Sequence, residues 1–284
     1  MRVERALAEH SIEAPPGRFV LVHYHIFKNG GTMIESILHR EFGDGFARLH
    51  GEEDGSVLDS ASLAAFLREH REVQAVSSHH LLYPKPAMRG LVTFDCCFLR
   101  HPFDRLISVY NQTSLQNPLR REPLRDFVKR MLDESPHLLS DVQVNRLVNG
   151  GAFVRPADER DLEKALQVLR EMAVPGVVDL FDESLVSAEY FLKPAFPALQ
   201  LHYLPENVSR PARQNPADVQ YTELWGTSLH SDLVRLNQMD LELYRRARME
   251  VLRRFALVPR RAERLERFRE RSAALNGRLA ATGI

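Results

Sequence analysis

The chain has little cysteine, which argues against a disulfide framework and against a cysteine-bound metal. Among its 284 residues there are two cysteines, Cys96 and Cys97, which are neighbours in the sequence. Adjacent residues of a strand point to opposite faces, so these two cannot easily form a disulfide. Two thiols are also too few for a cysteine-bound metal. We therefore expect neither a disulfide framework nor a metal site.

Net charge is also absent, because 38 Lys and Arg balance 38 Asp and Glu. A neutral chain has no general attraction to nucleic acid or to an anionic membrane, so we expect no nucleic-acid partner. Lysine is scarce, and Lys28 is the sole lysine in the first 84 residues. Residues 245–271 contain eleven arginines and four glutamates, which predicts a basic C-terminal helix or tail over 259–284.

Long apolar runs are missing as well. No stretch approaches the roughly 18 apolar residues of a membrane-spanning helix, and the first residues lack the apolar segment of a signal peptide. Residues 1–17 are polar and end in Pro-Pro-Gly, which predicts a flexible N-terminal arm. From these features we expect a cytoplasmic protein with no integral membrane segment.

What the sequence does contain is an alternation of strand and helix patterns. Residues 18–26 are rich in Val and aromatic residues and predict a strand, which a glycine turn joins to a helical pattern. Residues 73–77 and 91–99 predict further strands, and the last is apolar almost throughout, as buried parallel strands are. This order predicts an α/β fold with a central parallel sheet flanked by helices.

The second half of the chain is mostly helical in pattern. Two short strands are expected at 177–180 and 199–203, and one long helix at 231–255. No internal repeat or low-complexity segment divides the chain. We therefore predict one domain over 18–258 with a helical C-terminal elaboration.

Polar residues follow three of the predicted strands. Histidines 79 and 80 follow the second strand and Arg100 follows the third. The first strand is followed by Lys28-Asn29-Gly30-Gly31-Thr32. This segment combines an ammonium group, two glycines and the N-terminus of a helix, a combination that binds anions. The carboxyl ends of parallel strands meet at one edge of a sheet, so we expect these groups to converge on one crevice.

The first loop differs from that of nucleoside triphosphatases, because Lys28 precedes the glycine pair instead of preceding Ser or Thr. Asp95 imitates the magnesium-binding aspartate of such enzymes, but it lies inside a strand that continues beyond it. Past Arg100, Arg105 and Ser108 lie three apart on one helical face and can meet one bound phosphate. A surface ion pair of Arg105 with Asp104 is the other interpretation.

Taken together, these residues resemble the sulfotransferase family, in its carbohydrate or heparan-type branch. HIFKNGGT at 25–32 is similar to the family's 5′-phosphosulfate loop, and FLRHPFDRLISVY at 98–110 to its 3′-phosphate motif. SSHHLLYP at 77–84 is similar to the segment with its catalytic histidine. The family usually has Pro where Phe27 stands and Thr where Asn29 stands. Softer similarities lie at 141–150, 206–210 and 239–247.

The resemblance implies a P-loop-like fold and a donor, 3′-phosphoadenosine 5′-phosphosulfate (PAPS), which is converted to 3′,5′-adenosine bisphosphate (PAP) without a metal. Lys28 would stabilise the leaving phosphate together with the N–H groups of Gly30, Gly31 and Thr32, and Asn29 would supply a further donor. Arg100 and Ser108 would hold the 3′-phosphate. His79 would take the acceptor proton, with His80 as the alternative base. The residues expected to contact the acceptor are His80, Arg146, Asn207 and Arg210.

The expected acceptor is a carbohydrate or another hydroxyl-bearing molecule, such as a glycan or glycolipid, and the expected source is bacterial. Two other functions stay open: a nucleotide-dependent small-molecule kinase, and a catalytically silent protein that binds a nucleotide or glycan. The basic tail, with Leu265 and Phe268 three apart, is typical of a salt-bridged surface helix, or of a homodimer contact. His23, His25 and His50 are interpreted as core or surface residues.

Overall fold

The computed structural model describes residues 17–51, 56–120, 122–149, 155–204, 224 and 226–282. Asn207, Arg210 and nearly all of the predicted arm at 1–17 lie outside these residues. Within the described part of the chain, no helix has the length and hydropathy to cross a membrane. The same part holds no group of three or more His, Cys, Asp or Glu side chains placed to bind a metal ion.

Five strands form one sheet in the spatial order β2-β3-β1-β4-β5, and every pair in it is parallel. The strands are β1 (Arg18–Tyr24), β2 (Phe46–Arg48), β3 (Ala75–Ser78), β4 (Leu91–Leu99) and β5 (Val174–Val177). β1 is central and pairs with both β3 and β4, with Leu21 opposite Ala75 on one side and Phe94 on the other. The predicted parallel sheet is confirmed.

Ten α-helices flank this sheet or extend beyond it in the described residues. They are α1 (Gly31–Phe42), α2 (Ser60–Glu69), α3 (Pro102–Gln116), α4 (Leu124–Glu134), α5 (Val142–Asn149), α6 (Glu159–Glu171), α7 (Phe181–Leu192), α8 (Ser228–Leu236), α9 (Gln238–Ala256) and α10 (Arg261–Thr282). The predicted α/β fold with a helical C-terminal region is therefore confirmed.

The sheet is buried on both faces, which explains the unbroken apolar sequence of β4. Alternate β4 residues pack into two different clusters, because successive side chains of a strand point to opposite faces. Cys97 and Leu99 pack with α2, α5, α6 and α9, whereas Cys96 and Phe98 pack with α1 and α7. Burial of a leucine or phenylalanine side chain contributes about 1.5–3 kcal/mol to the free energy of folding. Both thiols are free and lie on opposite faces, as expected.

The structure differs from several of the expected elements. The strand expected at 177–180 lies slightly earlier, as β5, and residues 178–180 form a 3₁₀ turn. Residues 199–203 form no strand. The long helix expected at 231–255 is divided into α8 and α9 at Asn237. The short edge strand β2 was not predicted at all.

The basic C-terminal segment is a helix that packs on the body of the protein. In α10, Phe268 is fully buried, and Arg269 and Arg271 donate hydrogen bonds to Asp182 and Glu189 of α7, both at 2.8 Å. Leu265 and Phe268 thus both pack within the chain. The boundary at residue 258 stays a prediction.

Candidate active site

The carboxyl ends of β1, β3 and β4 bring the predicted site residues to one edge of the sheet. Arg100, directly after β4, donates from Nη1 to the carbonyl oxygen of Lys28 at 3.1 Å. The ring of His79, directly after β3, lies against that of His25, directly after β1, with 3.7 Å between the ring centroids and a tilt of 31°. The three strand ends therefore lie together at one edge of the sheet.

The loop after β1 has the geometry of an anion site. Lys28 and Gly30 both have left-handed backbones, with φ of 68° and 77°. Few residues with a side chain adopt this conformation, and alternating backbone handedness turns successive N–H groups toward one point. No side chain caps α1, so the N–H groups of Gly31 and Thr32 have no helix acceptor and point out of its positive end.

Gly31 is required at the start of α1 by the ring that lies on it. A Cβ atom at this position would overlap the imidazole of His25. Glycine therefore lets the strand end and the helix start approach each other, and His25 becomes part of the wall of the site.

The Asn29 side chain joins the loop after β1 to β4 and α5. This side chain is buried, and its amide donates to the carbonyl of Phe98 at 2.9 Å and to Oε1 of Gln143 at 2.8 Å. Gln143 of α5 in turn exchanges hydrogen bonds with both backbone groups of Arg100, at 2.9 and 2.8 Å. Both N–H groups of Asn29 have protein acceptors, so its side chain positions the two strand ends and offers no spare donor.

Positive charge accumulates beside this loop. Burial, and then the Arg100 guanidinium, lower the pKa of Lys28. Burial also lowers the pKa of Arg146. Burial lowers the pKa of Arg105 to about 10, and repulsion from Arg146 and Arg100 adds to this shift. Lys28 Nζ donates to Gln112 of α3 at 2.6 Å and forms no ion pair among the described residues. An anion with several negative charges fits this cluster.

Ser108 and Arg105 of α3 have different surroundings. Ser108 lies one turn before Gln112 and therefore on the helix face toward Lys28, where it is half-buried. Arg105 is buried and donates from Nη2 to the carbonyl of Leu138 at 2.9 Å. One donor of Arg105 is thus used by the protein, and its contact with a phosphate stays a prediction.

His79 has a defined tautomer. Its Nδ1 lies 2.9 Å from the carbonyl oxygen of His25, and a carbonyl can only accept, so Nδ1 carries the hydrogen. In the neutral ring Nε2 then holds the lone pair. Burial and the nearby His25 lower the pKa of His79 to about 4, so the neutral ring prevails near pH 7.

His80 has the opposite arrangement. Its Nδ1 accepts a hydrogen bond from the backbone N–H of Gly51 at 2.8 Å. The lone pair of neutral His80 is thus already used by the protein. This contrast favours His79 over His80 as the base.

Several residues near His79 were not identified from the sequence. His25 had been interpreted as a core or surface residue, yet its ring and carbonyl both contact His79. Glu35 of α1 accepts hydrogen bonds from His25, Ser77 and Arg48. A histidine placed three residues before the loop lysine, directly after a strand, is the signal that could have indicated His25.

Two further predicted residues can be located. Arg146 of α5 is half-buried, and its positive charge acts on both His79 and Arg105, so it lies beside the site. Asp95 is buried within β4 and accepts a hydrogen bond from Lys85 at 2.9 Å. The residue that resembles a magnesium-binding aspartate is therefore paired with a lysine.

Two comparisons with known proteins agree with this geometry. Residues 16–171 match the model of a family described as the sulfotransferase family, a span that contains β1 to β4 and every located site residue. The chain is also similar to an uncharacterized protein of Archaeoglobus fulgidus, at 25% identity over 250 residues, which cover 80% of this chain and 95% of the relative. Because the family match spans more than half of the chain, the protein belongs to the sulfotransferase family.

Proposed function

We propose that the protein transfers a sulfuryl group from PAPS to an acceptor hydroxyl of a glycan or glycolipid, as in the carbohydrate or heparan-type branch. The observation that carries this proposal is the hydrogen bond from Arg100 to the Lys28 carbonyl, which brings the positive residues after β1 and β4 next to each other. PAPS has two anionic ends, a 5′-phosphosulfate and a 3′-phosphate. One site with two adjacent positive groups fits such a donor.

In this proposal the loop after β1 holds the 5′ end of the donor. Lys28 Nζ and the N–H groups of Gly30, Gly31 and Thr32 stabilise the negative charge that grows on the leaving phosphate oxygen. Asn29 keeps this loop joined to β4 through Phe98. Arg100 and Ser108 hold the 3′-phosphate, which distinguishes this donor from ATP.

His79 acts on the acceptor. As the acceptor oxygen forms its bond to sulfur, the bond from sulfur to the 5′-phosphate oxygen breaks, and that oxygen keeps the electron pair. His79 Nε2 takes the acceptor proton. Positioning and charge stabilisation supply most of the acceleration in such in-line displacements. The described residues His80 and Arg146 lie beside His79 and are proposed, with Asn207 and Arg210, to contact the acceptor.

A thermal-shift comparison tests the donor. PAP should raise the melting temperature by several degrees, and AMP or ATP with magnesium by less, because those nucleotides lack the 3′-phosphate. Arg100→Ala should remove most of the difference between PAP and AMP. Arg89→Ala, a change of an exposed arginine away from the site, should preserve it. Equal shifts by PAP, AMP and ATP in the unchanged protein would refute PAPS as the donor.

A transfer assay tests the reaction. The protein is incubated with PAPS and a panel of glycan and glycolipid acceptors, and release of PAP is followed together with sulfation of the acceptor. Sulfated product should form only when acceptor and PAPS are both present. Stabilisation by PAP without any transfer across the panel would favour a silent binding protein.

A further inference from the structure

Glu35 is a buried carboxylate that the proposed chemistry does not use. Its Oε1 accepts hydrogen bonds from His25 Nδ1 and Ser77 Oγ, both at 2.9 Å, and its Oε2 accepts one from Arg48 Nε at 2.7 Å. Burial alone would raise the pKa of Glu35, but the hydrogen bonds from His25, Arg48 and Ser77 bring it well below its usual range. Glu35 is therefore ionised and can only accept.

The ionised carboxylate fixes the direction of the surrounding hydrogen bonds. His25 must carry its hydrogen on Nδ1, because Glu35 cannot donate. Ser77 gives its one hydroxyl hydrogen to Glu35, so His23 Nδ1, 2.9 Å from Ser77 Oγ, must donate to that oxygen. A continuous set of donors thus points toward Glu35 from β1, β2 and β3.

His25 connects this set to the base in two ways. Its ring lies at 3.7 Å between centroids from that of His79, and its carbonyl oxygen accepts the Nδ1–H of His79 at 2.9 Å. Gly31 also lies close to the His25 ring, since a Cβ atom at that residue would overlap the ring. Rotation of the His25 ring away from Glu35 would remove the ring against which His79 packs.

We propose that Glu35 is a positioning residue for the proton acceptor: by holding Nδ1 of His25, it keeps the His25 ring against His79 and so directs Nε2 of His79 toward the acceptor. Glu35 itself touches neither substrate. The catalytic part of this inference rests on the proposed function, whereas the effect of Glu35 on the His25 ring and on its contact with His79 does not.

The tautomers are measured directly by NMR on the full-length protein with ¹⁵N-labelled histidine. His25 and His79 should each have a protonated Nδ1. Glu35→Ala removes the acceptor for His25 Nδ1, so His25 should shift to a mixture of both tautomers and the ring signals of His79, which packs against it, should change. Glu35→Gln keeps an acceptor oxygen and should preserve the original signals. Ser36→Ala, at an exposed neighbouring position of α1, is the matched control and should leave the spectrum unchanged.

Glu35→Met provides a second variant should the cavity in Glu35→Ala prevent folding. Its side chain has a similar length and no oxygen acceptor, so it should give the same changes at His25 and His79 as Glu35→Ala. Unchanged ring signals of His25 and His79 in whichever of these two variants folds would overturn the proposal.

Transfer kinetics supply the second readout. Glu35→Ala should lower kcat by about 10–100-fold with the KM for PAPS changed less than about twofold, because displacing a catalytic group mainly slows chemistry. Glu35→Gln should recover most of this loss. Equal kcat in the unchanged protein and Glu35→Ala would overturn the catalytic role. A tautomer shift in a protein that transfers no sulfate would instead remove the proposed function and leave the positioning role.

Discussion

At the scale of single residues, the two adjacent histidines are distinguished by the partner of one nitrogen. His79 donates from Nδ1 to a carbonyl, while His80 accepts at Nδ1 from Gly51. His79→Ala should therefore lower kcat by about 10²–10⁴-fold, the usual contribution of a general base, and leave PAP binding within a few-fold. His80→Ala should lower kcat far less. Steady-state kinetics with PAP calorimetry check both, and a larger loss in His80→Ala would exchange the two roles.

The surroundings of His79 also set the pH at which it becomes active. Burial, and then the neighbouring His25 and Arg146, lower the pKa of His79 to about 4, while the hydrogen bond to the His25 carbonyl and the nearby Glu35 oppose this shift. A base works when deprotonated, so kcat/KM should rise with pH through about 4 and be level near 6.5, where free histidine titrates. A rate profile measured between pH 3.5 and 8 checks this. A rise centred near 6.5 would contradict the assignment.

Single-residue roles were predictable only where a motif carries them. His79 and Arg100 follow strands directly and Lys28 lies in the loop after β1, so strand order alone brings them to one edge. Glu35 could not be found in this way, because a glutamate in an amphipathic helix has the same pattern whether it faces solvent or a buried histidine. Gln143 could not be identified from the sequence either, because its hydrogen-bond partners Asn29 and Arg100 are more than 40 residues away.

At the scale of elements, the turn from β1 to α1 depends on close packing. Gly31→Ala would place a Cβ in the His25 ring, so either the ring or the helix start must move. We expect a loss of about 1–3 kcal/mol in the free energy of unfolding, the usual cost of overpacking, together with weaker PAP binding. Urea denaturation and PAP calorimetry measure the two effects.

Gly17→Ala is the matched control for this change. A Cβ at Gly17 would meet its nearest neighbour, the carbonyl oxygen of Gly90, at 3.5 Å, which is ordinary contact. The unfolding free energy and PAP affinity should stay close to their original values. Equal behaviour of the two variants would show that the His25 ring accommodates the extra methyl group.

Elements with a strong repeating pattern were predicted, and elements fixed by tertiary contacts were not. β4 is apolar on both faces and could be recognised at once. β2 is three residues long, too short for its alternation to stand out, and is held by pairing with β3. Residues 199–203 have strand-like composition but pack as a loop, with Leu201 donating its backbone N–H to Glu189. The helix expected at 231–255 ends early because Asn237 turns the chain between α8 and α9.

At the scale of the whole molecule, the C-terminal helices support the site through α5. Asp240 of α9 accepts hydrogen bonds from the backbone N–H groups of Gln143 and Val144 at the start of α5. Asp141 in turn accepts one from the N–H of Asp240 at 2.8 Å. Gln143 then bridges Asn29 and Arg100. A part of the chain beyond the family match thus contributes to holding the ends of β1 and β4 together.

This support includes two buried carboxylates, and the pair predicts how stability depends on pH. Burial and then repulsion by Asp240 raise the pKa of Asp141 from 3.8 to about 7. A carboxyl with a raised pKa binds its proton more tightly in the folded state, so its contribution falls as pH rises from about 4 to 7 and is level above. Asp141→Asn keeps the acceptor oxygen and a side chain suited to the left-handed backbone at φ 40°.

We expect Asp141→Asn to raise the free energy of unfolding by about 2–4 kcal/mol at pH 8 and by almost nothing at pH 4, because the charge it removes exists only at the higher pH. Urea denaturation at both pH values measures the difference. Asp133→Asn, an exposed carboxylate on α4, is the control and should show no such dependence. An equal effect of Asp141→Asn at pH 4 and pH 8 would mean that Asp141 is charged throughout. In that case the contact between α9 and the start of α5 would include an ionised Asp141 at both pH values.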